Sequence, residues 1–447
     1  MTENRDALAT TPARDVALAC VEAGIEAGHP RTVVRDAVSL DGGTLRIRDA
    51  AGGEASYDLD GYDEVVVLGG GNAAAHVAAA LEAVLGDRID GGVVVTDDPA
   101  GTERVTVREG DHPVPTERGV EGARAVLSAA DDAGEGTLVL AAITGGGSAL
   151  LPAPAGDVSL DDLRAVTDGL LASGADIGDI NAVRKHLSAL KGGRLARRAA
   201  PATVVSLVLS DVVGNDLSVI ASGPTAPDGT TFAEALSVLD RYGVDAPASA
   251  RERLERGAAG ELAETPGPDD PAFDRVANHV VADGRTAIDA ARDAAAERGY
   301  DPLVLSSRVR GEAREAAKTH VAVAEEARAT GDPVSPPAVV LSGGETTVTV
   351  RGDGEGGPNQ EFALSAALEL AGGGSEVAVA AVDTDGIDGA TDAAGAVVDG
   401  ATVDDADAAR AALADNDAYP YLAARDALIR TGATGTNLND LRALVVE

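Results

Sequence analysis

Runs of β-forming residues ending in glycine or a small polar residue, each followed by an alanine-rich helical stretch, most narrow what this chain can fold into. The clearest is Asp63-Glu-Val-Val-Val-Leu-Gly-Gly-Gly71, which leads into a helical pattern from Asn72 to Leu85. Gly92-Val-Val-Val-Thr96, Thr137-Leu-Val-Leu-Ala-Ala-Ile-Thr144 and Thr203-Val-Val-Ser-Leu-Val-Leu-Ser210 follow the same plan. Strands apolar on both faces must be covered on both, so their alternation with helices predicts a parallel sheet between helical layers. This is a doubly wound, Rossmann-like α/β arrangement. Ligands on such sheets bind beyond the carboxyl ends of the strands, where these glycine loops lie.

A length of 447 residues exceeds what one core usually holds. We expect an N-terminal Rossmann-like domain over 1–245 and a C-terminal α/β domain with a mixed sheet over 246–447, with the active site in the cleft between them. The turn-rich Leu262-Ala-Glu-Thr-Pro-Gly-Pro-Asp-Asp-Pro271 would suit a boundary. Strands of the second domain are expected at His279–Ala282, Pro302–Ser306, Ala338–Ser342, Thr346–Arg351 and Glu376–Asp383, the fourth half-exposed and antiparallel from its alternation.

The charge balance excludes whole classes of partner. Against 36 Lys and Arg stand 74 Asp and Glu, a net charge of −38. Binding a phosphate backbone requires cations to displace counterions, so nucleic acid is not an expected partner, and an anionic membrane surface is disfavoured too. The acid excess, the scarcity of lysine and an interior rich in Ala and Gly suit a protein working in multimolar salt, where self-repulsion is screened. The one cysteine, Cys20, lies in an Ala-rich helical pattern and reads as a buried thiol in a reducing compartment. No apolar run approaches a membrane span and the first residues lack a signal-peptide core, so a cytoplasmic location is expected.

Lysine occurs at only three positions, and two of them, Lys185 and Lys191, fall with Arg184 and Arg194 inside eleven residues. That concentration of cations points to a phosphorylated or carboxylate ligand, with a solvated basic helix face as the plain alternative. Thr144-Gly-Gly-Gly-Ser148, between a buried strand and a helix, reads as a nest of amide donors for phosphate. Ser148 lacks the Gly-x-Ser-x-Gly elbow of an esterase nucleophile because position 150 is Leu. Gly69, Gly70, Gly71 and Asn72 form a looser turn whose Gly69-x-Gly71-x-x-Ala74 spacing mimics a dinucleotide fingerprint, although tight turns need glycine without any ligand. Asp211, at a strand's carboxyl end, suits a metal ligand or base, with a capping aspartate as the alternative. Glu345 and Asn359 sit in further glycine-rich loops, and Asp383 and Asp385 in Asp383-Thr-Asp-Gly-Ile-Asp-Gly389, a carboxylate loop able to take Mg²⁺. No pair of histidines has zinc-site spacing.

Taken in order, Thr144-Gly-Gly-Gly-Ser-Ala-Leu-Leu-Pro152, Ile180-Asn-Ala-Val-Arg-Lys-His-Leu-Ser188, Lys191-Gly-Gly-Arg-Leu195, Ser210-Asp-Val-Val-Gly-Asn-Asp-Leu217, Ala221-Ser-Gly-Pro-Thr225, Ser342-Gly-Gly-Glu-Thr346, Asp383 to Gly389 and Thr434-Gly-Thr-Asn-Leu-Asn-Asp440 resemble the type II glycerate kinases, whose C-terminal portion is called MOFRL. The resemblance runs over nearly the whole chain, with the MOFRL region at about 334–440. It implies ATP- and Mg²⁺-dependent phosphorylation of the 2-hydroxyl of D-glycerate. By this resemblance Lys191 and Arg194 clamp phosphate or the substrate carboxylate and Lys185 and Arg184 add field. Gly70 to Asn72, Thr144, Gly145, Gly146, Gly147, Ser148, Glu345 and Asn359 serve the nucleotide, and Asp211 or the Asp383/Asp385 pair holds Mg²⁺ or receives the proton. A homodimer is a further expectation. Two positions depart from the family pattern: Asn72 replaces a lysine and Pro358 an arginine. They keep a non-catalytic glycerate- or nucleotide-binding paralogue open as an alternative. An NAD(P)-dependent hydroxypyruvate reductase is a third reading, resting on the Gly69-x-Gly71-x-x-Ala74 spacing.

Overall fold

In the computed structural model of the protein, which describes residues 2–373 and 376–447, the glycine-ended strands form one six-stranded sheet. Its order is Thr106–Glu109, Gly91–Thr96, Glu64–Gly70, Thr137–Thr144, Thr203–Leu209 and Val276–Ala282, and the first five run parallel. Thr137–Thr144 is buried along its whole length, as a central strand covered on both faces must be. Helix Glu117–Asp132 approaches the sheet closely because Gly122 has no side chain: a Cβ there would come within 2.8 Å of Val95. Leu160–Ala172, Ile177–His186, Phe232–Tyr242 and Ala248–Ala258 bury a separate cluster around Phe232, Leu239 and Leu254. A small antiparallel sheet, Val38–Asp41, Thr44–Arg48 and Glu54–Asp58, completes this unit, which spans 33–281.

The other unit comprises residues 1–32 and 282–447. Its sheet has the order Asp301–Glu312, Ala338–Thr347, Asp440–Val446, Val377–Asp383, Gly395–Asp399 and Leu428–Ile429. The first pair is parallel and the rest antiparallel, so the sheet is mixed. Helix Pro12–Gly28 packs here: Gly24 lies against Leu441 and the carbonyl of Ala287, and the buried Arg14 donates to Asp399 at 2.7 Å. Burial pushes the Cys20 thiol on this helix up to about 12, so it stays protonated and inert.

Both units are α/β as expected, but the chain divides at 281/282 rather than at 245/246, and its first 32 residues join the second unit. Val276–Ala282 adds an edge to the parallel sheet instead of opening the mixed one. The turn-rich 262–271 segment covers glycines of the first unit, with Thr265 beside Gly192 and Pro266 beside Gly193. Thr346 and Thr347 finish a longer strand that pairs in parallel with Gly311 and Glu312, and the chain then leaves the sheet.

Candidate functional site

At the carboxyl ends of Glu64–Gly70, Thr137–Thr144 and Thr203–Leu209 the polar loops of the parallel sheet converge. The two glycine turns are built into each other. The Asn72 N–H donates to the Gly145 carbonyl at 2.8 Å, the Ala73 N–H to Thr144 Oγ1 at 3.2 Å, and a Cβ on Gly146 would overlap the Asn72 amide. Gly69 and Gly71 have φ of +142° and +138°, and a Cβ on either would strike the neighbouring strand or its loop, at Ala142 and Thr144. Close strand packing therefore accounts for the apparent dinucleotide spacing. The Asn72 side chain donates to both oxygens of Asp97, at 2.9 and 2.8 Å. Asp211 stands over Gly145, where a Cβ would collide with its carboxylate.

Below this mouth lies Lys191, 4% exposed. Its ammonium donates to the carbonyls of Leu151 at 3.1 Å and Gly147 at 3.4 Å, tying the lysine loop to the underside of the glycine loop. Burial, with a smaller contribution from Arg184, brings its pKa down to about 7. The next residues grip a strained turn: the Gly192 and Gly193 N–H groups donate to the carbonyls of Ser222 and Gly223. Ala221, Ser222 and Gly223 have φ of +50°, +60° and +63° in succession. A non-glycine residue held left-handed costs about 1–3 kcal/mol, and such strain concentrates at functional sites. Here it delivers the Ser222 hydroxyl to Asn181 Oδ1 at 2.9 Å and to Ser148 Oγ at 2.8 Å.

Lys185 and Arg194 lie on the other side of the lysine loop. Lys185 forms a buried ion pair with Asp228 at 3.2 Å, and Arg194 donates to the Lys185 carbonyl at 2.5 Å. Burial alone would raise the Asp228 carboxyl, but Lys185 and the Thr230 N–H and O–H hold it below the usual carboxylate range. Burial, together with Arg253 and Arg197, brings Arg194 down to about 10.

The remaining expected residues form a second polar cluster, in the mixed-sheet unit. The Asn359 and Gln360 N–H groups, opening helix Pro358–Glu369, donate to the two oxygens of Asp388 at 3.0 and 2.8 Å. The Asn359 amide donates to Asp440 at 2.7 Å, while its own Oδ1 is buried with no hydrogen-bond partner among the described residues. Asp440 is paired with the fully buried Arg442 at 2.5 Å. Asp383 is pushed well above the usual carboxylate range, first by burial and then by Asp385 and Asp440. Burial brings Asp388 up to about 7. Glu345 is exposed at the end of its strand. Among the described residues no three His, Cys, Asp or Glu side chains converge to hold a metal by themselves. The donor chemistry nevertheless fits Mg²⁺, which takes one or two carboxylates and completes its shell with water and phosphate oxygens. A cation beside Asp383 would also relieve the repulsion that raises its pKa.

Asn181 and Ser222 sit in segments whose cations and glycines carry the stronger sequence signal. Asp97 and Asp228 carried no sequence signal, because remote segments bring them to their partners.

Fold and site define a two-unit α/β protein whose polar loops gather beyond the carboxyl ends of a parallel sheet. Residues 16–255 match a domain of unknown function (DUF4147), and residues 338–440 match the MOFRL family. The glycerate 2-kinase of Pyrococcus horikoshii is 38% identical over 442 residues, covering 97% of each chain. A protein of Agrobacterium vitis named "Putative hydroxypyruvate reductase" is 46% identical over 391 residues, 85% of this chain and 87% of that one. The crystal structure of the glycerate kinase of Thermotoga maritima superimposes with a TM-score of 0.83 at 38% identity, covering 97% of this chain and 99% of that one. The chain belongs to the glycerate kinase family, which joins these two regions.

Proposed function

We propose that this protein is an ATP-dependent glycerate 2-kinase, forming 2-phosphoglycerate from D-glycerate. The observation that carries the reading is the glycine loop 144–148, stacked on the Asn72 turn and braced from below by Lys191. Phosphoryl transfer asks for positioning and charge neutralisation more than covalent chemistry. The amides of Gly145, Gly146 and Gly147 are the groups we assign to phosphate, with Thr144 fixing their loop. Lys191 supplies charge through the loop it braces, and Lys185 and Arg194 act from its far side.

Asp383 and Asp385 are the residues we assign to Mg²⁺, with Asp211 beside the glycine loop as the group that receives or orients the acceptor's proton. When bound, the ion would neutralise phosphate charge. Glu345 and Asn359 are assigned to the nucleotide. The net charge of −38 fits work in concentrated KCl inside a cell.

A reductase reading has less support, because the space beside the glycines that mimic a dinucleotide loop, Gly69 and Gly71, is filled by Ala142 of the adjacent strand and by Thr144 and Gly145 at its end. The test is a pair of assays in multimolar KCl. ADP release should depend on D-glycerate, and NADH or NADPH should not be consumed with hydroxypyruvate. Nucleotide oxidation without ADP release would overturn the proposal. Binding without turnover would favour the non-catalytic paralogue and point to Asn72 and Pro358.

A further inference from the structure

The hydrogen-bond chain behind the glycine loop has a fixed direction. Ser222 donates its one proton to Asn181 Oδ1, so it can only accept from Ser148. Ser148 must then spend its own proton on Ser222. What remains on the half-buried Ser148 oxygen is acceptor capacity, at the mouth where Asn72 and Asp211 flank Gly146 and Gly145. A phosphate oxygen offers no proton and would meet only lone pairs there. An alcohol does offer one.

We propose that Ser148 is a specificity-determining residue that accepts a hydrogen bond from the hydroxyl of the acceptor that is not phosphorylated, its direction set by Ser222 and Asn181. The chain ends in an amide oxygen, which is too weak a base to take up a proton. Ser148 therefore cannot relay the proton of a reacting hydroxyl and can only orient one that keeps it. For phosphorylation at the 2-position that group is the 3-hydroxyl. Ser222 and Asn181 are positioning residues, 0% and 3% exposed, and the three successive left-handed residues at 221–223 hold Ser222 in place. This inference rests on the kinase reading and adds to it the group that recognises the acceptor.

Calorimetric titration with D-glycerate and with D-lactate, which lacks the 3-hydroxyl, tests it when run beside the KM for ATP. The wild-type protein should bind D-glycerate roughly tenfold or more tightly than D-lactate, since D-lactate leaves the Ser148 acceptor without the hydroxyl it is arranged to receive. Ser148→Ala and Ser222→Ala should bring the two acids to within about threefold of each other, on that same scale, with the KM for ATP unchanged. Asn181→Asp, whose oxygens only accept, should retain the preference. A preference that survives in Ser148→Ala, or a raised KM for ATP with glycerate binding intact, overturns the inference while leaving the kinase reading standing. A folded wild-type protein that neither binds nor phosphorylates D-glycerate overturns both.

Discussion

Lys191 is where burial and charge conflict most directly. Burial brings its pKa from 10.5 to about 7, because among the described residues its enclosed ammonium meets two carbonyl oxygens and no carboxylate. A lysine whose pKa is lowered by folding binds fewer protons in the fold than in the unfolded chain between those two values. Its cost to stability is therefore fully present below about pH 7 and is relieved as pH rises towards 10.5. Lys191→Met fills the same space without the charge. It should remove this part of the pH dependence of the melting temperature and leave the protein at least as stable at pH 7, as replacing a poorly compensated buried charge often does. The kinase kcat/KM should nevertheless fall by roughly tenfold or more, on the scale of losing one positioned cation. Lower stability together with full activity would show that Lys191 serves only as a core strut.

At the scale of elements, the start of helix Pro358–Glu369 depends on a residue from another segment. Asp388 takes two of the N–H groups the helix leaves open, and its carboxyl titrates up near 7 because burial outweighs those two bonds. A carboxyl raised in the fold is proton-bound from about 3.8 to 7, so its contribution to stability falls as pH rises through that window. Asp388→Ala should cost about 1–2 kcal/mol in denaturant titration, the usual range for a lost cap. No loss would mean that Pro358 alone secures the first turn. The continuous strands 64–70, 137–144 and 203–209 were legible in sequence because burial on both faces leaves an unbroken apolar run. Asp440–Val446 was not legible, since Arg442 interrupts its apolar pattern. The arginine is nevertheless fully buried, paired with Asp440 and set over the Phe362 ring. The glycine and lysine loops could be named from composition. The Ser148–Ser222–Asn181 chain could not, because it depends on a left-handed turn at non-glycine residues.

At the scale of the whole molecule, self-repulsion from a net charge of −38 should make stability depend on salt, with the melting temperature rising from low to multimolar KCl. An unchanged melting temperature would remove salt adaptation from the account. The same conditions serve the most direct test of the central claim: ³¹P NMR of the purified protein with Mg-ATP and D-glycerate in multimolar KCl, run beside Lys191→Met. The account predicts a growing 2-phosphoglycerate signal with matching loss of ATP, strongly reduced in the variant. No phosphoglycerate from a folded wild-type protein, or phosphate appearing on the 3-position, would contradict it.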